Sequence, residues 1–176
     1  MTMETKIKQI VRDVNDFPKP GIVFKDITPI LKDAVLCGEI TTALAMQLSA
    51  VKIDVVAGIE SRGFLFGMAL ANLLNVPFVP IRKAGKLPHK TIQQSYDLEY
   101  GSATLEVHED AILPGQHVLI HDDLLATGGT VVAASKLIQK LDAVVAGYSF
   151  IIALDFLNGK DRLKAFSTNN FALASY

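Results

Sequence analysis

The residues predict an α/β protein with a central, mainly parallel sheet flanked by helices, and three observations carry that expectation. Residues 53–59 and 76–81 are short, β-branched, nearly continuous apolar runs, as strands buried on both faces are. Apolar helical patterns at 64–74 and 131–141 follow strand patterns in the β-α-β-α order of a parallel sheet. The run HVLIHDDLLATGGT, residues 117–130, begins as a strand, turns acidic at Asp122 and Asp123, and loosens into small residues before a helix. Unpaired N–H groups in a first helical turn, together with the helix dipole, make such a junction a ready anion site.

The elements follow in order. Ile7, Ile10, Val11 and Val14 recur at helical spacing and predict an amphipathic helix, broken by Pro18, Pro20 and Gly21. Residues 22–29 read as an extended piece stopped by Pro29, and 38–51 as a second helix. Strand 53–59, the interruption Glu60-Ser61-Arg62-Gly63, helix 64–74 and strand 76–81 come next. Residues 82–90 gather Arg82, Lys83, Lys86 and Lys90 around Gly85 and Pro88, a mobile basic loop. Residues 91–100 and 103–108 alternate polar and apolar around Gly101-Ser102, as an antiparallel hairpin does. Strand 144–154, a helical turn at 161–166 and a short strand at 171–175 complete the chain.

Composition narrows the function classes. The 176 residues suit one domain with a proper core, and half of them are hydrophobic, so the chain is not disordered. A net charge of −1 without a block of like charge argues against a nucleic-acid arm. The single cysteine, Cys37, leaves no internal disulfide and suits a reducing compartment. Residues 1–8 are polar, unlike a signal peptide, and the apolar stretch 143–154 is too short to span a bilayer as a helix. The expectation is a soluble, cytoplasmic protein with no membrane and no nucleic-acid partner.

Open parallel sheets bind ligands beyond the carboxyl ends of their strands, and residues 60–63, 82–90 and 122–130 all fall there. The first two supply cations; the third supplies amides and two carboxylates. A polyanion with a sugar diol would satisfy all three segments, because cations and amides hold phosphates while carboxylates accept from hydroxyls. Adjacent strand residues point to opposite faces, so Asp122 and Asp123 suit two neighbouring hydroxyls better than one shared atom. The basic loop would serve equally as a solvated turn, and Phe24 equally as a core residue or a stacking platform.

Residues 118–130 closely resemble the phosphoribosyl-pyrophosphate motif of type I phosphoribosyltransferases. Residues 17–29, the run GIESRGF at 58–64, the run RKAGKLP at 82–88 and the run YDLEYG at 96–101 resemble further motifs of the adenine-specific members, in the same order. The resemblance implies the type I phosphoribosyltransferase fold as one domain over 1–176. It would have an N-terminal hood of about residues 1–35 and a flexible hairpin loop. It implies a pentosyl transfer, from phosphoribosyl pyrophosphate to N9 of adenine, giving AMP and diphosphate in purine salvage. Mg²⁺ would be held mainly by the diphosphate and waters, with no dedicated protein ligands. By the same resemblance, Ala126, Thr127, Gly128, Gly129 and Thr130 would bind the 5′-phosphate, and Asp122 and Asp123 the ribose hydroxyls. Ser61, Arg62, Arg82, Lys83, Lys86 and His89 would meet the diphosphate. Val23, Phe24 and Lys25 would hold the base, and Glu99 would take up its proton. It further implies a homodimer, with Arg82 reaching the neighbouring subunit's site, and often a cis peptide at Glu60–Ser61. His121 departs from the pattern, standing where an apolar residue is usual, either as a structural histidine or as a modulator of the two aspartates.

Two other readings remain open: a transferase for another base such as xanthine or guanine, and a regulator that senses phosphoribosyl pyrophosphate. The second usually brings a nucleic-acid-binding domain or basic face, which this chain lacks. A dinucleotide-dependent redox protein is disfavoured, because no G-x-G-x-x-G follows the first strand.

Overall fold

The computed structural model describes residues 1–97 and 101–176. Helix α1 (Met3–Ile10) is capped by the Thr2 side chain, which accepts from Thr5 N–H, and buries Ile7. It ends earlier than its apolar spacing predicts. Residues Arg12–Asn15 form strand β1, antiparallel to β2 (Val23–Asp26), with Val14 opposite Phe24. Cross-strand pairing thus overrides the helical pattern at Val14, while Val11 caps the helix with its N–H on Ile7 O, and the Pro-Gly break is a hairpin connection. A 3-10 turn at Thr28–Lys32 leads to helix α2 (Ala34–Gln47), which begins earlier than the predicted 38 because Asp33 caps it, accepting from Leu36 N–H at 3.0 Å.

The main sheet is seven-stranded. Strand β3 (Val55–Ile59) pairs in parallel with β4 (Phe78–Lys83) and β7 (His117–Leu125). Outward from β7 lie β8 (Val144–Ala153) and β9 (Asn170–Ser175), also parallel. On the other side, the hairpin of β5 (Thr91–Asp97) and β6 (Ser102–His108) joins β4 antiparallel. The mainly parallel sheet and the hairpin are as predicted. Strand β4 runs further, however: Arg82 and Lys83 lie opposite Glu106 and Leu105 within the sheet, so the basic loop begins only after them.

Helix α3 (Gly63–Leu74) follows β3, α4 (Gly129–Lys140) follows β7, and short α5 (Gly159–Leu163) follows β8. Alternate residues of β3 serve two cores: Val55, Ala57 and Ile59 pack with Ala134, Leu137 and Ile138 of α4. Val56 packs with Ile40, Leu44, Phe66 and Leu70 of α2 and α3. Ile7 and Ile30 belong to this second core, which ties the N-terminal segment to the body. Covered on both faces, the sheet leaves its strand ends as the open surface.

Candidate active site

The turn after β3 carries Glu60, Ser61 and Arg62, and the Glu60–Ser61 peptide is cis, as the resemblance implies. Gly63 starts α3 against β7. A Cβ there would lie 2.8 Å from His121 O and 3.0 Å from Asp122 Oδ1, so only glycine lets the helix start approach the acidic pair. Arg62 Nε sits 2.7 Å from Asp123 Oδ2, and its guanidinium lies 5.1 Å from the centre of the Phe24 ring. One arginine therefore bridges the acidic strand end and the aromatic residue of β2.

Burial first, and then the charge of Asp123, pushes the Asp122 carboxyl well above its usual range. Burial also raises Asp123, although Arg62 draws it back. Asp122 Oδ1 accepts from Asp123 N–H at 2.9 Å. Two carboxylates kept partly desolvated without a full set of donors are poised to accept hydrogen bonds from a ligand's hydroxyls. His121 is fully buried, with Nδ1 2.6 Å from Ser149 Oγ of β8, and burial lowers its pKa to about 4. The ring is neutral near pH 7 and adds no charge to the aspartates, which supports its structural reading.

Past β7, Gly128 takes φ +81° and caps α4, and a Cβ there would lie 3.0 Å from Gly159 O. The resulting close turn exposes the first N–H groups of α4. Arg162 of α5 donates to Thr127 O at 3.1 Å and braces the turn from behind, a contact that no pattern in the chain foretells.

Two cavities open at these strand ends. The first, about 830 Å³, lies between Val23, Phe24 and Lys25 of β2 and Ala126, Thr127, Gly129 and Thr130 after β7. Leu154, Phe156, Leu157 and Tyr176 give it a largely apolar wall that was not anticipated. Lys25 Nζ is fixed by Asp13 Oδ1 at 2.7 Å and lies 4.2 Å from the centre of the Tyr176 ring. The second cavity, about 420 Å³, is charged, with Glu60, Ser61, Arg62, Lys83, Asp122 and Asp123 on its walls. Tyr96, Leu124 and Thr130 line both, so the two adjoin.

The expected diphosphate residues do not all arrive together. Ser61, Arg62 and Lys83 line the charged cavity. Arg82 Nε lies 3.1 Å from Glu60 Oε2, and Lys86 Nζ donates to Glu60 Oε1. Both cations are thus held on a carboxylate of the cavity wall; Glu60 in this role escaped the sequence reading. His89 packs edge-on to His108, with ring centres 6.1 Å apart, and lines neither cavity. Gly128 shapes the turn before α4 without lining the cavities. Glu99 lies outside the described residues. Strand β5 leads toward it and puts Tyr96 and Asp97 into the wall of the larger cavity.

Comparison with known proteins matches this architecture. The family described as phosphoribosyl transferase domain covers residues 28–163. An adenine phosphoribosyltransferase of Cytophaga hutchinsonii is 51% identical over 174 residues, which span 99% of this chain and 96% of the relative. The crystal structure of adenine phosphoribosyltransferase from Thermoanaerobacter pseudethanolicus superposes with a TM-score of 0.95 at 47% identity, covering 99% of this chain and 100% of that one. The Saccharomyces cerevisiae enzyme, solved with adenine and an imino-altritol bisphosphate, gives a TM-score of 0.90 at 40% identity, over 97% of this chain and 98% of that one. With fold, motif order and near full-length identity in agreement, the chain belongs to the adenine phosphoribosyltransferase family.

Proposed function

We propose that this chain transfers 5-phosphoribose from phosphoribosyl pyrophosphate to N9 of adenine, releasing diphosphate and giving AMP. The observation that carries the proposal is the pair of adjoining cavities, one apolar beside β2 and one charged beside β3 and β4, with the phosphate turn at their junction. The 5′-phosphate would rest on the N–H groups of residues 127–130 and the Thr127 and Thr130 hydroxyls. Asp122 and Asp123 would accept from the ribose hydroxyls, and Ser61, Arg62 and Lys83 would take the diphosphate, with Arg82 and Lys86 exchanging Glu60 for phosphate oxygens. A developing cationic ribose would sit in the negative field of the two aspartates.

Base choice follows from the edge of β2. That strand has β1 as its one partner in a two-stranded sheet, so backbone groups along its other edge have no strand opposite them among the described residues. Adenine offers an N6 donor and an N1 acceptor, which one C=O and one N–H can satisfy. Hypoxanthine reverses both. Phe24 would stack on the purine, its ring steadied by Phe17 at 5.3 Å between centres and by Arg62. Phe24→Ala should raise the KM for adenine by about tenfold or more, since stacking on an aromatic is worth roughly 1–3 kcal/mol per base. The KM for phosphoribosyl pyrophosphate should stay within about threefold, and steady-state kinetics with each substrate varied in turn would check this.

Among the described residues no three carboxylates, histidines or cysteines gather to hold a metal. An ion would arrive on the substrate, held mainly by the diphosphate and waters, because Glu60, Asp122 and Asp123 line the charged cavity without converging as a ligand set. Mg²⁺ would then supply charge neutralisation on the departing diphosphate. We also infer a homodimer and a cytoplasmic setting. Exposed Leu65, Met68 and Leu73 on α3 favour a second copy as cover, and no helix among the described residues is long and apolar enough to cross a membrane. The test is product analysis after incubation with Mg²⁺, phosphoribosyl pyrophosphate and adenine. AMP and diphosphate in equal amounts support the proposal. No nucleotide formed would favour a sensor, and a nucleotide formed only with another purine would favour that specificity.

A further inference from the structure

Glu106 of β6 is 2% exposed and lines neither cavity. Among the described residues no lysine, arginine or histidine pairs with it in a salt bridge. Its Oε1 accepts the backbone N–H groups of Lys86 at 2.8 Å and Leu87 at 2.9 Å. Its Oε2 accepts from the Thr91 hydroxyl at 3.3 Å and the Gln93 side-chain amide at 3.2 Å. Burial pushes the carboxyl up, but the N–H groups of Leu87, Gly85 and Lys86 outweigh it and hold Glu106 below the ordinary glutamate value. A buried, ionised carboxylate gathered by consecutive backbone N–H groups is a template around which a turn is wrapped. A buried charge of this kind is costly to leave unsatisfied, so the turn and the carboxylate fix one another.

The wrapped turn is the one that carries the cations. Lys83 enters it, its N–H donating to Glu60 Oε2 at 2.9 Å, and Lys86 leaves it with its ammonium on Glu60. Arg82, directly opposite Glu106 across β4 and β6, lies on the same Glu60 carboxylate. Two buried carboxylates therefore hold the segment at different places: Glu60 by the Arg82 and Lys86 side chains and the Lys83 N–H, on the cavity wall, and Glu106 by the N–H groups of Lys86 and Leu87, behind the wall. We propose that Glu106 is a positioning residue for diphosphate binding. It holds the 84–87 turn in the shape from which Lys86 reaches the diphosphate, and it does not itself touch substrate. The inference rests on the charged cavity being the diphosphate site.

Glu106→Gln keeps an oxygen for Lys86 and Leu87 N–H but sets an NH₂ group where Oε2 accepts. The KM for phosphoribosyl pyrophosphate should rise at least about tenfold, while the KM for adenine stays within about twofold. In a Lys86→Ala background the same exchange should add less than about twofold, because Glu106 acts through that lysine. Equal rises in both KM values, no rise with the fold intact, or a fully additive double variant would each overturn the inference. Should Glu106→Gln not fold, Gln93→Ala removes one donor from an exposed residue. It should raise the KM for phosphoribosyl pyrophosphate about two- to threefold, with that for adenine unmoved, and no change would overturn the inference. Titration with magnesium diphosphate separates this from failure of the functional reading, because it needs no turnover. Glu106→Gln should weaken diphosphate binding at least about tenfold even if adenine proves not to be the base. Equal affinity in wild type and variant, or no diphosphate binding by wild type, would contradict the positioning role.

Discussion

Asp122→Asn is expected to stabilise the empty protein at pH 7 and to cripple its binding of phosphoribosyl pyrophosphate. The Asp122 carboxyl is pushed well above its usual value by burial and then by the charge of Asp123. A carboxyl whose folded pKa is raised holds its proton more tightly in the fold than in the unfolded chain, so ionisation destabilises the fold. The penalty is absent below the unfolded aspartate value of about 3.9 and complete above the raised folded value. The neutral amide removes it at pH 7, and the gain should shrink as pH falls toward the ordinary aspartate range. Each kcal/mol relieved corresponds to roughly 2–4 °C in Tm for a chain of this size. Asp122 is the residue to change because Asp123 keeps its partner Arg62, which Asp123→Asn would strand. Binding should suffer because an amide keeps one acceptor and turns a donor toward a ribose hydroxyl; a loss of tenfold or more is expected. Calorimetric melting between pH 5 and 8 with ligand titration reads both effects. A lowered Tm at pH 7, or unchanged affinity, would sink the assignment of this pair.

Glu99→Gln should separate chemistry from binding. Attack by N9 leaves a proton on the purine, which a carboxylate near N7 would take up. Losing a general base costs about 10²–10⁴ in rate. The expected result is a fall in kcat of that order with the Kd for phosphoribosyl pyrophosphate within about threefold of wild type. Glu99 lies outside the described residues, and its role rests on the family resemblance. Pre-steady-state mixing should show the slow step to be chemistry. A variant with normal kcat would move the proton to water or to another residue.

Residues 117–130 show what local chemistry discloses: strand, acidic pair, turn and helix start are all where their residue types place them. Asp33 shows a local signal outside the apolar pattern: the helical spacing that begins at Ile40 puts the start near 38, whereas the Asp33 side chain caps the helix at Ala34. The β1 strand carries Val14 as its lone apolar residue among polar ones, too little alternation to compete with helical spacing. It exists because β2 lies beside it. The same holds for Arg82 and Lys83, whose composition resembles a loop but whose partners on β6 make them strand. The turn at residues 126–130 and the acidic pair were legible because adjacent residues build them. Glu60, Glu106, Arg162 and Tyr176 were not, because each acts on residues that are distant in sequence: Glu106 on Lys86, Arg162 on Thr127 and Tyr176 on Lys25.

The central claim is that the backbone edge at Val23–Lys25, which has no strand opposite it among the described residues, reads adenine beside a phosphoribosyl anchor at the ends of β3 and β7. It is tested most directly by the ratio of kcat/KM for adenine to that for hypoxanthine, with Mg²⁺ and phosphoribosyl pyrophosphate saturating. Hypoxanthine would leave two buried polar contacts mismatched at roughly 1–3 kcal/mol each, so the ratio should exceed about 30. A ratio near one, or a preference for hypoxanthine, would contradict it.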